Sequence, residues 1–186
     1  MGFYLDSKKP SSLYTNETVR PYFVDKTKMI DQLIPFVYAG SNYICITRPR
    51  HFGKTVMANM ISAFFGKVRD TSEIFGKLAI AQSENYRTYL NQYHVISITF
   101  NEIPKNCQSY EQYISRIENL LTKDLMDAYP AYHINPEDAV WDILSGIFEN
   151  EDAKFIFVLD EWDYIFHQDF ISEQNKVSYI RFLSNL

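Results

Sequence analysis

Short apolar runs alternate with helical patterns along this chain, and the alternation predicts an α/β protein. Three runs rich in β-branched residues predict buried strands: YICIT at 43–47, HVISITF at 94–100 and FIFVLD at 155–160. Predicted helices separate these strands, as in a parallel sheet. The predicted fold is therefore a single α/β domain, a parallel sheet flanked by helices.

Helical spacing predicts the elements around the first strand. Residues up to about 20 are polar and predicted to be irregular. A helix then follows FVDKT, with Asp25 or Thr27 as its cap and Pro35 disturbing it. Another helix begins at GKT and ends near Gly66. The first strand thus leads through a loop into a helix.

The second half of the chain carries three further helical patterns. A long helix is predicted over YEQYISRIENLLTKDLMDAY, and Asn135 is predicted to cap the next helix, with Pro136 at its first position. A last helix runs from about Asn175 to Leu186. Tyr86, Tyr89, Leu90 and Tyr93 also have helical spacing, which favours a packed face over catalysis.

Composition narrows the class of partner. The 186 residues are 46% hydrophobic and 22% charged, and the net charge of -5 disfavours direct binding of nucleic acid. Neither the two cysteines nor the four histidines show the spacing of a disulfide framework or a metal site. No apolar window has the length of a membrane helix, so we predict a cytoplasmic protein without a membrane partner.

The run ITRPRHFGKTV carries the first candidate for chemistry. A phosphate-binding loop needs backbone N–H groups and a helix N-terminus, which Gly53 and the predicted helix supply. Lys54 adds a charge for the outer phosphates and Thr55 a hydroxyl for Mg²⁺. Arg48 stands where the usual pattern has its first glycine, but the position between a strand and a helix supports the motif. The predicted nucleotide-binding residues are Arg48, Pro49, Arg50, His51, Phe52, Gly53, Lys54 and Thr55.

The run FIFVLDEWD carries the second candidate, since ligands gather at the carboxyl ends of sheet strands. Asp160 is predicted to reach Mg²⁺ directly or through water, together with Thr55. Glu161 is predicted to orient and deprotonate the attacking water as the general base. Asp163 is left open between a capping or supporting role and catalysis.

These motifs together resemble the predicted AAA-ATPase-like family of bacterial proteins. ITRPRHFGKTV, FVDKT upstream and VLDEWDYIF downstream match the family's ITRPRRFGKS-type loop and LDEYD-type acidic motif, from about Tyr22 to the end of the chain. The resemblance implies a P-loop ATPase of the additional-strand, catalytic-glutamate class, with ATP and Mg²⁺ as ligands. It also implies that an arginine in place of the first glycine, here Arg48, is usual in the family.

The chain departs from that family at two positions of the motifs. His51 stands where the family usually has arginine, and Trp162 where it usually has tyrosine; neither change removes a phosphate or metal ligand. Family members commonly continue into a PD-(D/E)XK nuclease-like domain, which nothing here matches. The resemblance therefore implies no nuclease activity for this chain.

Three functions remain open from the sequence. The first is a slow ATPase that drives a conformational signal, the second a nucleotide-dependent switch that barely hydrolyses ATP, and the third an interaction module with a vestigial loop. A trans-acting arginine would separate the first two. None of five arginines can be assigned to that role: Arg20, Arg69, Arg87, Arg116 and Arg181.

The order of strands in the resembling class gives one more expectation. There, a strand that comes later in the chain lies between the P-loop strand and the acidic strand and presents a polar sensor. Only a loop and a helix are predicted after Asp160. We therefore expect residues 22–186 to be an incomplete N-terminal portion of the P-loop domain, preceded by an irregular segment at 1–21. A second copy or a C-terminal effector domain outside this sequence is then expected as a partner.

Overall fold

The computed structural model describes residues 2–39, 43–47, 49 and 52–185. Contacts divide the chain into two compact units. One runs from Asp6 to Val95, and the other joins the residues up to Leu5 with those from Ile96 onward. The described elements are eight α-helices, two strands and two short 3₁₀ helices.

The unit from Ile96 onward contains the paired sheet. Strand β1 (His94–Thr99) starts at the end of the other unit and pairs with β2 (Phe155–Asp160) as a two-stranded parallel sheet. The helices of this unit are α6 (Tyr110–Ala128), α7 (Val140–Glu151) and α8 (Glu173–Asn185). Apolar side chains from the strands and all three helices form its core, among them Ile98, Leu121, Ile147 and Tyr179.

The buried carboxylate of Asp124 fixes the first residues of the chain to this unit. It accepts hydrogen bonds from the backbone N–H groups of Phe3, Tyr4 and Leu5 at 2.7, 2.6 and 3.0 Å. Leu5 then forms an antiparallel bridge with Ile96. Charged hydrogen bonds of this kind satisfy a buried acid in α6 and hold the chain against β1.

The unit from Asp6 to Val95 is helical in its described part. It contains α1 (Lys9–Thr18), α2 (Lys28–Ala39), α3 (Lys54–Phe65), α4 (Ser72–Phe75), a 3₁₀ helix (Ala79–Gln82) and α5 (Tyr86–Tyr89). Helices α1 and α3 pack together. Aromatic rings dominate the core: Phe75 stacks on Tyr14 and meets Phe64 edge to face.

Several predicted elements are confirmed. Strands β1 and β2 occupy the second and third predicted runs, and α3, α6 and α8 occupy the predicted helices. Pro35 lies inside α2 and does not end it. The mixture of helices with a parallel sheet is consistent with the α/β class, whereas the complete P-loop sheet and the domain bounds 1–21 and 22–186 stay predictions.

Two predicted elements are wrong. Residues 43–47 form no strand and have no regular secondary structure, and Tyr43 and Ile44 are 74% and 45% exposed. The N-terminal stretch that was predicted to be irregular contains α1. The sequence of α1 has few apolar residues and so gives little helical periodicity. The helix buries Tyr14, and packing against α3 stabilises it.

The predicted cap of α7 also lies elsewhere. That helix begins at Val140, after Ala139. The Asn135 side chain instead closes a turn, in which its oxygen accepts from Glu137 N–H and its amide donates to Asp138. Asparagine side chains compete with helix formation by such local bonds. The helical pattern predicted over 86–93 is helical only in the single turn of α5, in which Tyr89 is buried.

No helix in the described residues is both long and apolar enough to cross a bilayer.

Candidate functional site

The N-terminus of α3 brings Gly53, Lys54 and Thr55 together. Gly53 precedes the helix in the left-handed conformation (φ 78°, ψ 30°), which glycine adopts without a Cβ penalty. Lys54 is the first residue of α3, and Met57 N–H donates to Gly53 C=O at 3.0 Å. No side chain of the described residues caps this helix. Its first N–H groups therefore form a site that attracts an anion.

The buried face of α3 positions this N-terminus. Met57, Met60, Ala63 and Phe64 are at most 2% exposed, and α1 packs against the helix. In the first turn Lys54 is half-buried and Thr55 is exposed. Rigid packing of α3 thus directs the two polar side chains of the motif away from the core.

A cavity of about 300 Å³ opens beside Gly53. Residues of α1, of the segment before α2 and of α3 line it, among them Tyr14, Tyr22, Phe23, Lys26, Met57 and Met60. Aromatic side chains and the two methionines share the wall with Lys26 and with Glu17, which is the one acid among the described lining residues. Glu17 is paired with Arg20 at 2.9 Å. The cavity lies next to the anion-attracting end of α3.

The segment FVDKT is anchored at one edge of this cavity. The Asp25 carboxylate accepts from the Thr27 N–H and hydroxyl at 2.8 and 2.7 Å, and from Ala79 N–H at 2.7 Å. Partial burial by itself raises the pKa of Asp25, but the hydrogen bonds from Ala79 and Thr27 outweigh it and lower the pKa below its usual value. The Thr27 hydroxyl, fully buried, accepts from Ile80 N–H. Both residues therefore tie the start of α2 to the 3₁₀ helix.

Lys26 lies between these two anchored residues. Its Nζ is 3.6 Å from the position that a Cβ on Gly53 would take. No sequence pattern singles out this residue, although FVDKT is one of the segments that carry the family resemblance. The feature that could have pointed to it is its position between Asp25 and Thr27, two residues whose side chains can anchor the backbone.

The carboxyl end of β2 presents Asp160 and Glu161. Phe100 N–H, just after β1, donates to Asp160 C=O at 3.0 Å and places the ends of the two strands side by side. Asp160 is 8% exposed, and its Oδ1 accepts from Glu161 N–H at 3.1 Å. Its buried Oδ2 has no hydrogen-bond partner among the described residues. An unsatisfied buried carboxylate oxygen is costly and calls for a ligand.

Glu161 follows in a conformation that is rare for a residue with a side chain. Its φ is 55°, and such left-handed positions cluster at functional sites. The turn behind it is held because the Tyr179 hydroxyl donates to Trp162 C=O at 2.8 Å. Asp163 is exposed and directly precedes the 3₁₀ helix Tyr164–His167, but its side chain makes no cap bond within the described residues.

The two halves of the predicted site belong to different units. Gly53, Lys54 and Thr55 belong to the Asp6–Val95 unit, and Asp160 and Glu161 to the unit with the paired sheet. Pro49 and Phe52 are exposed. Three residues of the predicted nucleotide-binding set lie outside the described residues: Arg48, Arg50 and His51.

The described ranges contain no group of three or more His, Cys, Asp or Glu side chains of the kind that encloses a metal. Mg²⁺ in nucleotide sites needs only one or two protein ligands, since phosphates and water supply the others. The unpaired Oδ2 of Asp160 fits such a ligand.

Comparison with known proteins supplies the family. No curated protein and no solved structure matches the chain. The family model described as predicted AAA-ATPase matches residues 15–185, which include α3 with its GKT motif and β2 with its acidic end. The chain therefore belongs to the AAA-ATPase-like family of predicted AAA-ATPases.

Proposed function

We propose that the chain binds ATP with its phosphates at the N-terminus of α3 and hydrolyses it slowly in the presence of Mg²⁺. The observation that carries this proposal is the uncapped helix N-terminus formed by Gly53, Lys54 and Thr55 in a member of a predicted ATPase family. The left-handed Gly53 lets phosphate oxygens approach the backbone N–H groups. Lys54 contacts the outer phosphates as a mobile positive charge.

The cavity beside Gly53 suits the rest of the nucleotide. Its volume of about 300 Å³ lies at the lower end of ligand pockets, which is enough for a base. Tyr22 and Phe23 offer aromatic surfaces for a planar ring. The base thus packs on these aromatic side chains while the phosphates face the helix N-terminus.

The acidic end of β2 supplies the second part of the proposed chemistry. Asp160, through its unpaired Oδ2, is the residue of this unit that would hold Mg²⁺. The Thr55 hydroxyl is the proposed Mg²⁺ ligand at the N-terminus of α3. When bound, Mg²⁺ neutralises phosphate charge as the transition state develops. Glu161 accepts a proton from the attacking water, whose oxygen forms a bond to the γ-phosphorus while the bond from that phosphorus to the β–γ bridging oxygen breaks. The products are ADP, inorganic phosphate and a proton.

A nucleotide-dependent switch is the second candidate, and the contacts of two arginines favour it. Two of the unassigned arginines already have partners: Arg20 pairs with Glu17, and Arg116 donates to the Tyr4 hydroxyl and lies over the Phe3 ring. An arginine that stabilises the transition state raises hydrolysis by about 10³–10⁵-fold. Without one, turnover is slow and the bound state itself carries the signal. A homo-oligomer or a C-terminal effector as partner, and a cytoplasmic location, remain parts of this proposal.

Calorimetric titration with ATP and with ADP, each with and without Mg²⁺, tests the binding claim. Lys54→Ala should weaken ATP binding by about tenfold or more, because it removes a hydrogen-bonded charge from the phosphates. Lys67→Ala is the matched control, since Lys67 is an exposed lysine just beyond the other end of α3. Equal affinities for Mg-ATP in the parent and Lys54→Ala would reject the site.

The acidic residues are separated by two variants. Asp160→Ala should abolish the gain in affinity that Mg²⁺ gives, whereas Glu161→Gln should keep Mg-ATP binding and lose about a hundredfold or more of any hydrolysis. Phosphate release measured over time provides the readout. Equal hydrolysis by parent and Glu161→Gln protein would leave only the switch.

A further inference from the structure

Lys26 stands on a backbone that is fixed on both sides. Asp25 before it is bonded to Thr27 and Ala79, and Thr27 after it is buried and bonded to Ile80 N–H. Lys26 itself is exposed and lines the cavity beside α3. Anchored neighbours limit the positions that its ammonium group can reach, which lowers the entropic cost of using it in a contact.

The ammonium group of Lys26 reaches the glycine of the loop. Its Nζ lies 3.6 Å from the position of an added Cβ on Gly53, and the next residue, Lys54, begins α3. Two lysines and the uncapped end of α3 therefore concentrate positive charge around one glycine. The helix dipole adds about half a charge of the same sign.

This charge lacks a counter-ion in the described part of the protein. Neither Lys26 nor Lys54 forms an ion pair with the described residues, and Glu17, the acid of the cavity wall, is paired with Arg20. Like charges brought together repel unless an anion lies between them. A ligand with several negative charges that spans Gly53 satisfies this arrangement.

We propose that Lys26 is a second phosphate-binding lysine, which contacts the phosphate chain of a nucleoside di- or triphosphate held at Gly53 and Lys54. The inference rests on the proposed function and extends it to a residue outside the loop and the acidic motif. Lys26 then does more than shape the cavity: it ties the position of α2 to the charge of the ligand, since the same segment begins that helix. Asp25 and Thr27 are positioning residues for it.

The test compares ATP with adenosine, which has the base and ribose but no phosphate. Lys26→Met should weaken ATP binding by about tenfold or more, as expected for the loss of a charged hydrogen bond, and leave adenosine binding unchanged. Lys26→Arg should recover most of the ATP affinity. The dependence of ATP binding on salt should also fall in Lys26→Met, because one charge fewer meets the phosphates. Lys28→Met, at the exposed lysine two residues on, is the control and should bind both ligands like the parent.

The outcomes separate this inference from the proposed function. If the parent binds no ATP, the proposed function fails and the role of Lys26 fails with it. A second outcome is that the parent binds ATP, Lys54→Ala loses ATP binding, and Lys26→Met has the same ATP affinity as Lys28→Met. In that case the proposed function stands and only the role of Lys26 is rejected. Equal losses for ATP and adenosine in Lys26→Met would also reject it, because the side chain would then shape the cavity. Lys26→Gln, with the same readouts, replaces Lys26→Met if that variant does not fold.

Discussion

Of the two apolar runs that precede the two halves of the candidate site, one forms a strand and the other does not. FIFVLD at 155–160 forms β2, pairs with β1 and ends at the buried Asp160. YICIT at 43–47 has a similar composition but forms no β-ladder, and Tyr43 and Ile44 are exposed. A β-branched apolar run thus predicts the potential for a strand, and a neighbouring strand decides whether it forms.

The two halves of the candidate site are also held in place by different elements. Asp160 depends on its sheet, because Phe100 N–H bonds its carbonyl and fixes the strand end. Gly53 and Lys54 depend on α3, whose packed face includes Met57 and Met60. The phosphate-binding half can therefore form on a helix without a paired strand before it.

Amide hydrogen exchange should show the largest difference between the two runs. The amides of β1 and β2 should exchange about a thousandfold or more slowly than those of residues 44–47, since opening free energies range from near zero in unpaired segments to that of global unfolding. Exchange followed by mass spectrometry or NMR gives both regions in one experiment. Similar protection of 44–47 and 155–160 would show that the first run is paired in solution.

A matched pair of isoleucine variants gives the next largest difference. Ile98 in β1 is 1% exposed and Ile44 is 45% exposed. Ile98→Ala should lower the free energy of unfolding by about 2–5 kcal/mol, because a buried side chain is replaced by a cavity. Ile44→Ala should change it by about 0.5 kcal/mol or less. Chemical denaturation measures both, and a comparable cost at Ile44 would place that side chain in a core.

The smallest expected effect comes from Asp25, which anchors the cavity edge in the unit that holds residues 43–47. Its pKa is lowered in the folded state, so its stabilising contribution is complete above the unfolded value of about 4 and is lost as the pH falls through the folded value. Parent protein should be more stable than Asp25→Asn near neutral pH, and the difference should shrink in acid. Solvent screening keeps this contribution small. A difference that grows in acid would contradict the sign.

Local patterns were sufficient for elements with a strong signal. β2 starts and ends where FIFVLD does, and α6 follows the periodic stripe of Tyr113, Ile117 and Leu121. The sequence was insufficient where contacts far along the chain decide the structure. Helix α1 has few apolar residues and packs on α3, and Asn135 closes a turn in place of capping α7.

The candidate site was predictable to the same extent. The GKT motif falls at the start of α3, and Asp160 falls at the end of β2, as the motifs indicated. The left-handed φ of Glu161 and the unpaired Oδ2 of Asp160 arise from the turn and the burial, which no single motif encodes. The approach of Lys26 to Gly53 depends on anchors at Ala79 and Ile80, more than fifty residues further along the chain from Asp25.

NMR titration of the Gly53 amide with Mg-ATP tests the central claim most directly, because that N–H lies at the proposed phosphate position. The amide resonances of Gly53, Lys54 and Thr55 should shift on addition of ATP, shift less with ADP and stay unchanged with adenosine. Gly76 and Gly146, in other elements, serve as internal references. A nucleotide that binds while the Gly53 and Lys54 amides remain unmoved would contradict the assignment of the phosphate site to the N-terminus of α3.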